Sequence, residues 1–237
     1  MTAAAVAAPA DVIIDGQLRV RWSERPDGDF HLESPATELL RARRRFVDLP
    51  WTQLDQCHGS TVVAVQRPGG GDGAVGDALV SDLAGAVLAI WTGDCAPVAF
   101  ATGSAWFGAA HAGWRGIERG VLASTVAALR ERTNSPISAV LGPCIHPCCY
   151  EFGTPDLARL EARFGGAVRS RTSSGRVALD VPATIRAALA ELDVPLDDRS
   201  ICTGCTQARF FSHRARREVE RQVMAVWRMP KVAEPTP

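Results

Sequence analysis

Three short segments of the chain place a histidine or cysteine side chain beside small, turn-forming residues. They are residues 56–59, 93–95 and 111–116, and the side chains able to bind a metal are His58, Cys95 and His111. Two imidazoles and one thiolate fill three corners of a zinc tetrahedron and leave the fourth corner for water or substrate. Because a structural zinc site is closed by four protein ligands, this set predicts a catalytic metal centre and hence an enzyme.

The glycine-rich turn after His111 offers a second kind of chemistry. A glycine-rich turn that enters a helix exposes backbone N–H groups to an anion, and a guanidinium such as that of Arg115 suits phosphate or carboxylate. We therefore expect Gly113 and Arg115 to contact a phosphate. The other interpretation is that Gly113 and Gly116 only permit a tight turn and that Arg115 faces solvent.

A segment near the C-terminus combines aromatic and polar side chains. Phe210 and Phe211 are followed by Ser212, His213 and Arg214. An aromatic ring beside polar groups can stack on a flat ligand such as a nucleobase and hydrogen-bond to it. In the alternative interpretation the two phenylalanines belong to the core.

Five further cysteines form a second group that could bind a metal. Cys202 and Cys205 have the spacing of a zinc knuckle or a redox pair, and Cys144, Cys148 and Cys149 precede them. We favour the simpler interpretation, in which these thiols pack in a core between glycine and proline turns.

Composition narrows the class of protein. The 237 residues carry 26 basic and 26 acidic side chains, so no net basic charge favours nucleic acid or an anionic membrane. No stretch reaches the roughly 20 apolar residues that cross a bilayer. Seven cysteines, an odd number, fit a reducing compartment better than a disulfide framework. We expect a cytoplasmic protein with a disordered lead-in at 1–10, a single catalytic domain at 11–229 and a flexible tail at 230–237.

Strand-like and helix-like segments mix without a strict alternation. One helix is predicted over 116–132, whereas the apolar piece 223–227 is too short for its periodicity to assign. The mixture favours an α+β fold built on mixed sheets. The predicted strands and the other two predicted helices are 61–66, 87–91, 97–101, 106–111, 138–141 and 176–179, and 155–164 and 182–192.

Seven motifs, taken in order, resemble one known family. They are Gln56-Cys57-His58-Gly59, Asp77-Ala78-Leu79 with Asp82, Thr92-Gly93-Asp94-Cys95-Ala96-Pro97-Val98, His111-Ala112-Gly113-Trp114-Arg115-Gly116, Gly142-Pro143-Cys144-Ile145, Cys148-Cys149-Tyr150-Glu151 and Phe210-Phe211-Ser212. The set resembles the YfiH/YlmD family, also called the polyphenol oxidase or laccase-domain family, some of whose members are named peptidoglycan editing factor. The resemblance spans about residues 10–229.

The resemblance implies a fold and an activity. The implied fold has a sandwich-like core of mixed sheets flanked by helices, similar to the catalytic domain of cytotoxic necrotizing factor. Family members phosphorolyse adenosine, inosine and methylthioadenosine, and they deaminate adenosine. Their zinc ligands correspond to His58, Cys95 and His111, the residues already chosen for their ligand chemistry. Multicopper oxidation would need a separate cluster of imidazoles, and only His31, His146 and His213 remain, so zinc is favoured over copper.

We therefore expect an enzyme that acts on a purine nucleoside and phosphate, as a monomer or homodimer. His58, Cys95 and His111 would be catalytic, with Asp94 as an acid–base group. The residues expected to contact substrate or phosphate are Gln56, Gly113, Arg115, Phe211, Ser212 and Arg214. Two alternatives stay open. One is a cysteine hydrolase or amidase for peptidoglycan precursors, with Cys95 as nucleophile. The other is a zinc-stabilised interaction module.

Overall fold

The computed structural model describes residues 11–14 and 16–229, and both the lead-in predicted at 1–10 and the tail predicted at 230–237 lie outside them. The strands, in chain order, are β1 (Val12–Ile14), β2 (Leu18–Trp22), β3 (Trp51–Gln53), β4 (Val62–Ala64), β5 (Ala78–Ser81), β6 (Val87–Thr92), β7 (Ala96–Thr102), β8 (Phe107–Ala112), β9 (Ile137–Leu141), β10 (Arg169–Arg171), β11 (Val177–Leu179), β12 (Leu196–Asp198) and β13 (Gln222–Arg228). The α-helices are α1 (Ala36–Phe46), α2 (Trp114–Glu118), α3 (Val121–Arg130), α4 (Thr154–Phe164), α5 (Val181–Ala190) and α6 (His213–Arg216).

These strands form two large mixed sheets and one small hairpin. The first sheet has the order β1-β2-β13-β6-β3, and the second has the order β12-β9-β7-β8-β5-β4, with β10 and β11 paired apart. Neighbouring strands are antiparallel except for the pairs β3–β6, β12–β9 and β4–β5. The predicted α+β class with mixed sheets is therefore confirmed.

The two large sheets pack face to face around a shared apolar layer. Because side chains alternate along a strand, each strand contributes to both of its faces. In β7, Ala99 and Ala101 face the first sheet and pack in one cluster with Leu88 and Met224. The core between the sheets has the sandwich-like form that the family resemblance implies.

Helices cover the outer face of each sheet. Val98 and Phe100 of β7 point away from the other sheet and pack in a cluster that includes Leu129 of α3 and Ile185 of α5. On the opposite side of the molecule, Phe46 of α1 packs in a cluster with residues of β6 and β13. Strands buried on both faces explain why the central segments of the sequence are continuously apolar.

The structure contains elements that no predicted segment covers, namely β1, β2, β3, β5, β10, β12, α1 and α6. It departs from the sequence analysis at two further places. The helix predicted over 116–132 is two helices, because Gly120 adopts φ 87° and ends α2 before α3 begins. Glycine adopts such a left-handed φ without steric cost.

The unassigned piece 223–227 lies in β13, a central strand that pairs with β2 and β6.

No helix within the described ranges combines the length and the apolar character that a membrane span requires.

Candidate active site

Three separate elements bring one potential metal ligand each to the same point. His58 lies on a turn before β4, Cys95 lies on the connection between β6 and β7, and His111 lies in β8. The ligand atoms of these three residues lie within 4.8 Å of one another, and Cys95 Sγ is 3.7 Å from His58 Nε2. Zinc bonds of about 2.0 Å to nitrogen and about 2.3 Å to sulfur in a tetrahedron put those two atoms about 3.6 Å apart. The donor set and its spacing therefore fit a zinc ion with one open position.

Asp77, directly before β5, holds two of the three potential ligands in place. Its carboxylate accepts a hydrogen bond from His111 Nδ1 at 2.9 Å, which leaves Nε2 of His111 to face a metal. The same carboxylate accepts the backbone N–H groups of His58 at 2.9 Å and Gly59 at 2.7 Å. These contacts support the left-handed backbone of His58, whose φ is 58°. A carboxylate behind a metal-binding histidine is typical of zinc centres.

Gly113 makes room for the potential ligands to converge. A Cβ atom at this position would lie 2.7 Å from His58 Cδ2 and 3.0 Å from Cys95 Sγ. Both distances are shorter than ordinary van der Waals contact, so a larger residue would push the ligands apart. The glycine is needed for this close approach, and its φ of −69° is one that any residue adopts.

Electrostatics within the trio favour a thiolate beside a protonated imidazole when no metal is bound. Burial opposes ionisation of Cys95, but the charges of His111 and His58 and their hydrogen bonds outweigh it and lower the Cys95 pKa. Burial opposes protonation of His111, yet Cys95 and Asp77 raise the His111 pKa. Asp77 is buried, but the hydrogen bonds from His111 and Gly59 lower its pKa and keep it ionised. A thiolate is the form of cysteine that binds metal.

The three side chains line one wall of a cavity of about 400 Å³. This volume lies within the range of small-molecule sites, about 300–1,000 Å³. The other residues that line it are His31, Gln56, Trp91, Thr92, Gly93, Asp94, Trp114, Arg115, Tyr150, His213, Arg214 and Arg221. The rings of Trp91, Trp114 and Tyr150 and several cationic groups therefore surround the open side of the trio.

Asp94 is buried beneath the cavity and accepts three hydrogen bonds. Its Oδ1 accepts the hydroxyls of Thr203 at 2.6 Å and Ser212 at 2.7 Å, and its Oδ2 accepts the backbone N–H of Arg214 at 2.6 Å. Burial raises the Asp94 pKa, and these hydrogen bonds partly offset the effect. Because both oxygens are already engaged, the geometry favours a role in fixing the C-terminal segment over the acid–base role expected from the sequence.

The structure places the predicted substrate contacts in different environments. Gln56, Arg115 and Arg214 line the cavity, and Gly113 lies directly behind the ligands. The placement of Phe211 and Ser212 differs from the prediction, because neither residue is on the cavity wall. Phe211 is buried with the Arg25 guanidinium over its ring, and Ser212 is buried against Asp94.

Sequence reasoning missed several residues of this site. Asp77 belongs to one of the seven motifs, but the sequence predicted no function for it, because its contacts depend on tertiary pairing that no local pattern reveals. Trp91 and Tyr150 form aromatic walls at positions far apart in the chain. Tyr150 is the only tyrosine in the sequence and directly follows two cysteines, a signal that could have drawn attention to it.

The structure also gathers four of the five cysteines in the second group identified from the sequence. The sulfurs of Cys148, Cys149, Cys202 and Cys205 lie within 4.8 Å of one another, whereas Cys144 is buried separately. The interpretation of all five as packed core thiols is therefore wrong, because Cys205 is exposed and the thiols of 148 and 149 are only half-buried.

Comparison with known proteins places the chain in a family. Residues 31–229 match the family described as "Multi-copper polyphenol oxidoreductase laccase". The chain is 32% identical over 219 residues to purine nucleoside phosphorylase YlmD of Geobacillus stearothermophilus, covering 82% of this chain and 80% of that protein. It is 40% identical over 159 residues to a purine nucleoside phosphorylase of Xylella fastidiosa, covering 64% of this chain and 60% of that protein.

A solved structure agrees with these sequence matches. The crystal structure of YlmD from Geobacillus stearothermophilus superposes with a TM-score of 0.77 at 28% identity, covering 90% of this chain and 93% of that one. The match covers nearly the whole of each chain. The chain therefore belongs to the YfiH/YlmD family, the polyphenol oxidase or laccase-domain family.

Proposed function

We propose that this protein is a zinc-dependent purine nucleoside enzyme. It would phosphorolyse adenosine, inosine and methylthioadenosine, and it would deaminate adenosine. The observation that carries this proposal is the three-ligand site of His58, Cys95 and His111, which opens onto a cavity with aromatic walls. Relatives that match most of the chain's length bear the name purine nucleoside phosphorylase, which supports the same substrate class.

The aromatic walls suit a purine base. Trp91 is held by a hydrogen bond from its indole N–H to the Leu54 carbonyl at 2.8 Å, and His31 contacts its ring edge-on at 4.9 Å between centroids. Tyr150 faces the same cavity and carries the Arg214 guanidinium over its ring at 4.7 Å. Flat, fixed rings of this kind stack on a nucleobase at low entropic cost. Gln56 lies on the same wall, but its amide already bonds to the backbone of Trp91, so we assign it to fixing that ring.

Cationic side chains at the cavity suit phosphate. Arg115 is exposed at its edge, stacks on the Trp114 ring at 4.3 Å and has no salt bridge with any residue in the described part of the chain. Its guanidinium is therefore free to bind an oxyanion through two parallel hydrogen bonds. Arg214 lines the same cavity. In phosphorolysis a phosphate oxygen bonds to the anomeric carbon of ribose while the bond to the purine nitrogen breaks, so we assign the orientation of phosphate to Arg115.

His58, Cys95 and His111 would hold the metal, and Asp77 would fix the orientation of His111. When bound, zinc supplies a Lewis acid that can polarise a substrate oxygen or activate water at neutral pH. Deamination needs water at C6 of the purine and no phosphate, so the same cavity serves both reactions. We place the enzyme in the cytoplasm, where its seven cysteines stay reduced.

A second candidate function rests on the lowered pKa of Cys95. A thiolate 3.7 Å from His58 Nε2 is also the arrangement of a cysteine hydrolase or amidase. In that enzyme Cys95 would attack a carbonyl carbon and an adjacent histidine would protonate the leaving amine. Irreversible inactivation by a thiol alkylator, together with full activity after chelation, would favour this second candidate.

Product analysis with adenosine tests the proposal. The protein is incubated with adenosine with and without phosphate, and adenine, inosine and hypoxanthine are separated by chromatography. We expect adenine and hypoxanthine only with phosphate, and inosine in both cases. Chelation should abolish all three products and added zinc should restore them, whereas His111→Ala should form none of them with zinc present. Full turnover by metal-free protein would contradict the assignment.

A further inference from the structure

A second cluster of potential metal ligands lies outside the cavity and has no part in the proposed reaction. Two thiols come from the 3₁₀ turn Pro147–Cys149, and the other two come from the segment 202–205. Cys148 Sγ lies 3.5 Å from Cys202 Sγ and 3.2 Å from Cys205 Sγ, and Cys149 Sγ lies 3.2 Å from Cys205 Sγ. All four sulfur atoms lie within 4.8 Å of one another.

These separations fit metal coordination better than a disulfide. A zinc–sulfur bond of about 2.3 Å in a tetrahedron puts the sulfurs about 3.8 Å apart. A disulfide would bring two sulfurs to about 2.05 Å and leave the other two unused. In the structure Cys205 approaches two different thiols at the same 3.2 Å distance, so no single pair of sulfurs is set apart from the others.

The backbone around the cluster is shaped to bring the four sulfurs together. A Cβ atom on Gly204 would lie 2.6 Å from Cys149 Cβ and 2.9 Å from Cys149 Sγ, so position 204 accepts only glycine. The backbone N–H of His146 points to Cys202 Sγ at 3.4 Å. Such N–H groups stabilise the negative charge of a metal-bound thiolate. The close position of Cys149 therefore requires glycine at position 204.

The cluster joins two segments that have little regular structure of their own. Between β12 and β13 the only helix is α6, which has four residues. Apart from the thiols, the β-bridge between Cys144 and Cys202 ties the two stretches together through the bonds from Cys144 N–H to the Ile201 carbonyl and from Thr203 N–H to the Cys144 carbonyl. A contact of His146 Nε2 with Ser200 Oγ at 3.1 Å lies beside it. A shared metal would add a cross-link between segments more than 50 residues apart in sequence.

The same cross-link would support the cavity. Tyr150 directly follows Cys149 and lines the cavity wall. Thr203 lies between Cys202 and Cys205 and donates its hydroxyl to Asp94 at 2.6 Å. Arg214 also depends on this region, because its side chain donates to the Glu151 carbonyl at 3.2 Å. Each of these residues is adjacent in sequence, or directly bonded, to the segments that the cysteines would fasten.

We propose that Cys148, Cys149, Cys202 and Cys205 bind one zinc ion in a closed, structural site, distinct from the open site of His58, Cys95 and His111. Each thiol releases its proton as it binds, and no electron is transferred. Four protein ligands leave no position for substrate, so this second zinc stabilises the fold around Tyr150 and Asp94 and does not take part in the reaction.

Zinc counting by elemental analysis tests this site without relying on activity. The full chain is purified under reducing conditions, and zinc per chain is measured. We expect two zinc ions in the unaltered protein, one in His111→Ala, one in Cys205→Ser and none in the double variant. Cys57→Ser is the matched control, because it removes an exposed thiol outside the cluster and keeps a hydroxyl donor, and it should retain both ions. A folded His111→Ala protein without zinc would overturn the proposal.

A second measurement covers the case in which Cys205→Ser does not fold. The His111→Ala protein is alkylated with and without a chelator, and the modified cysteines are identified by mass spectrometry. We expect cysteines 148, 149, 202 and 205 to be protected until the chelator removes zinc. With cobalt in place of zinc, the same protein should show the intense thiolate-to-metal absorption of a four-sulfur site. Alkylation of these thiols at equal rates with and without chelator, or a disulfide among them, would contradict the proposal.

Discussion

The carboxylate of Asp77 lies 2.9 Å from Nδ1 of His111, and this contact fixes which nitrogen of His111 faces the open side of the site. Both side chains are almost fully buried, with exposed fractions of 0% and 4%, so water does not compete for the bond. The same carboxylate also accepts the backbone N–H of His58. One buried anion therefore determines the geometry of two potential metal ligands that lie 53 residues apart in sequence (from 58 to 111).

Replacing Asp77 with asparagine should weaken metal binding. The amide keeps the volume but loses the charge that supports the His111 tautomer, and changes to such supporting groups typically cost about 10–100-fold in metal affinity. Competition with a chelator measures the zinc affinity. Asp82→Asn is the matched control, because Asp82 is exposed, and its affinity should equal that of the unaltered protein. Unchanged affinity in Asp77→Asn would show that the carboxylate does not support the metal.

Gly113→Ala should disrupt the trio without removing a ligand. The added Cβ would meet His58 Cδ2 at 2.7 Å, and overpacking of this kind costs about 1–3 kcal/mol, equivalent to about 5- to 150-fold in affinity. We expect zinc binding and turnover to fall together. Gly153→Ala is the control, since nothing lies within 4 Å of its added Cβ. Equal zinc affinity in both variants would mean that the ligands do not need this close approach.

Thiol alkylation of the metal-free protein should select Cys95 over Cys57 at neutral pH. The Cys95 pKa is lowered, so its thiolate persists as the pH falls from 9 to 7, whereas a hydrogen bond to Asp77 and burial raise the Cys57 pKa. Peptide mass spectrometry after brief treatment with iodoacetamide measures both rates. Zinc should protect Cys95 and leave Cys57 unchanged. Faster labelling of Cys57, the more exposed thiol, would contradict the predicted charge state.

Asp94→Asn should impair substrate binding while the metal stays bound. An asparagine amide can still accept the hydroxyls of Thr203 and Ser212, but its NH₂ group would then face the N–H of Arg214. Loss of a buried hydrogen bond to a charged group costs about 1.5–3 kcal/mol, so KM for adenosine should rise about tenfold or more. Steady-state kinetics and zinc content are measured together. A fall in kcat with an unchanged KM would instead support an acid–base role for this residue.

Much of the architecture was predictable because local pattern and burial agree. The central strands are apolar on both faces, and Asp180 caps α5 through its side chain as expected of an aspartate before a helix. The break at Gly120 was missed because the apolar pattern continues on both sides of it. β13 was missed because its seven residues are held by pairing with β2 and β6. The hydrophobic pattern within the segment gives no sign of that pairing.

The site was predictable only in its ligand chemistry. Residue types at positions 58, 95 and 111 indicated a metal centre, and the structure brings their ligand atoms within 4.8 Å of one another. The role of Asp77 depends on hydrogen bonds to residues 18, 19 and 34 positions away, and that of Asp94 on hydrogen bonds to residues 109 or more positions away. Long-range contacts of this kind follow from the tertiary fold, so sequence motifs indicated the potential ligands and not the groups that hold them.

The most direct measurement is a zinc-edge anomalous difference map from crystals grown with a purine nucleoside and phosphate. We predict a zinc peak about 2.0–2.3 Å from His58 Nε2, Cys95 Sγ and His111 Nε2, with the fourth coordination position of the zinc facing the cavity. The nucleoside should lie in that cavity against Trp91. A map with no peak at these three residues, or with the nucleoside bound elsewhere on the molecule, would contradict the account.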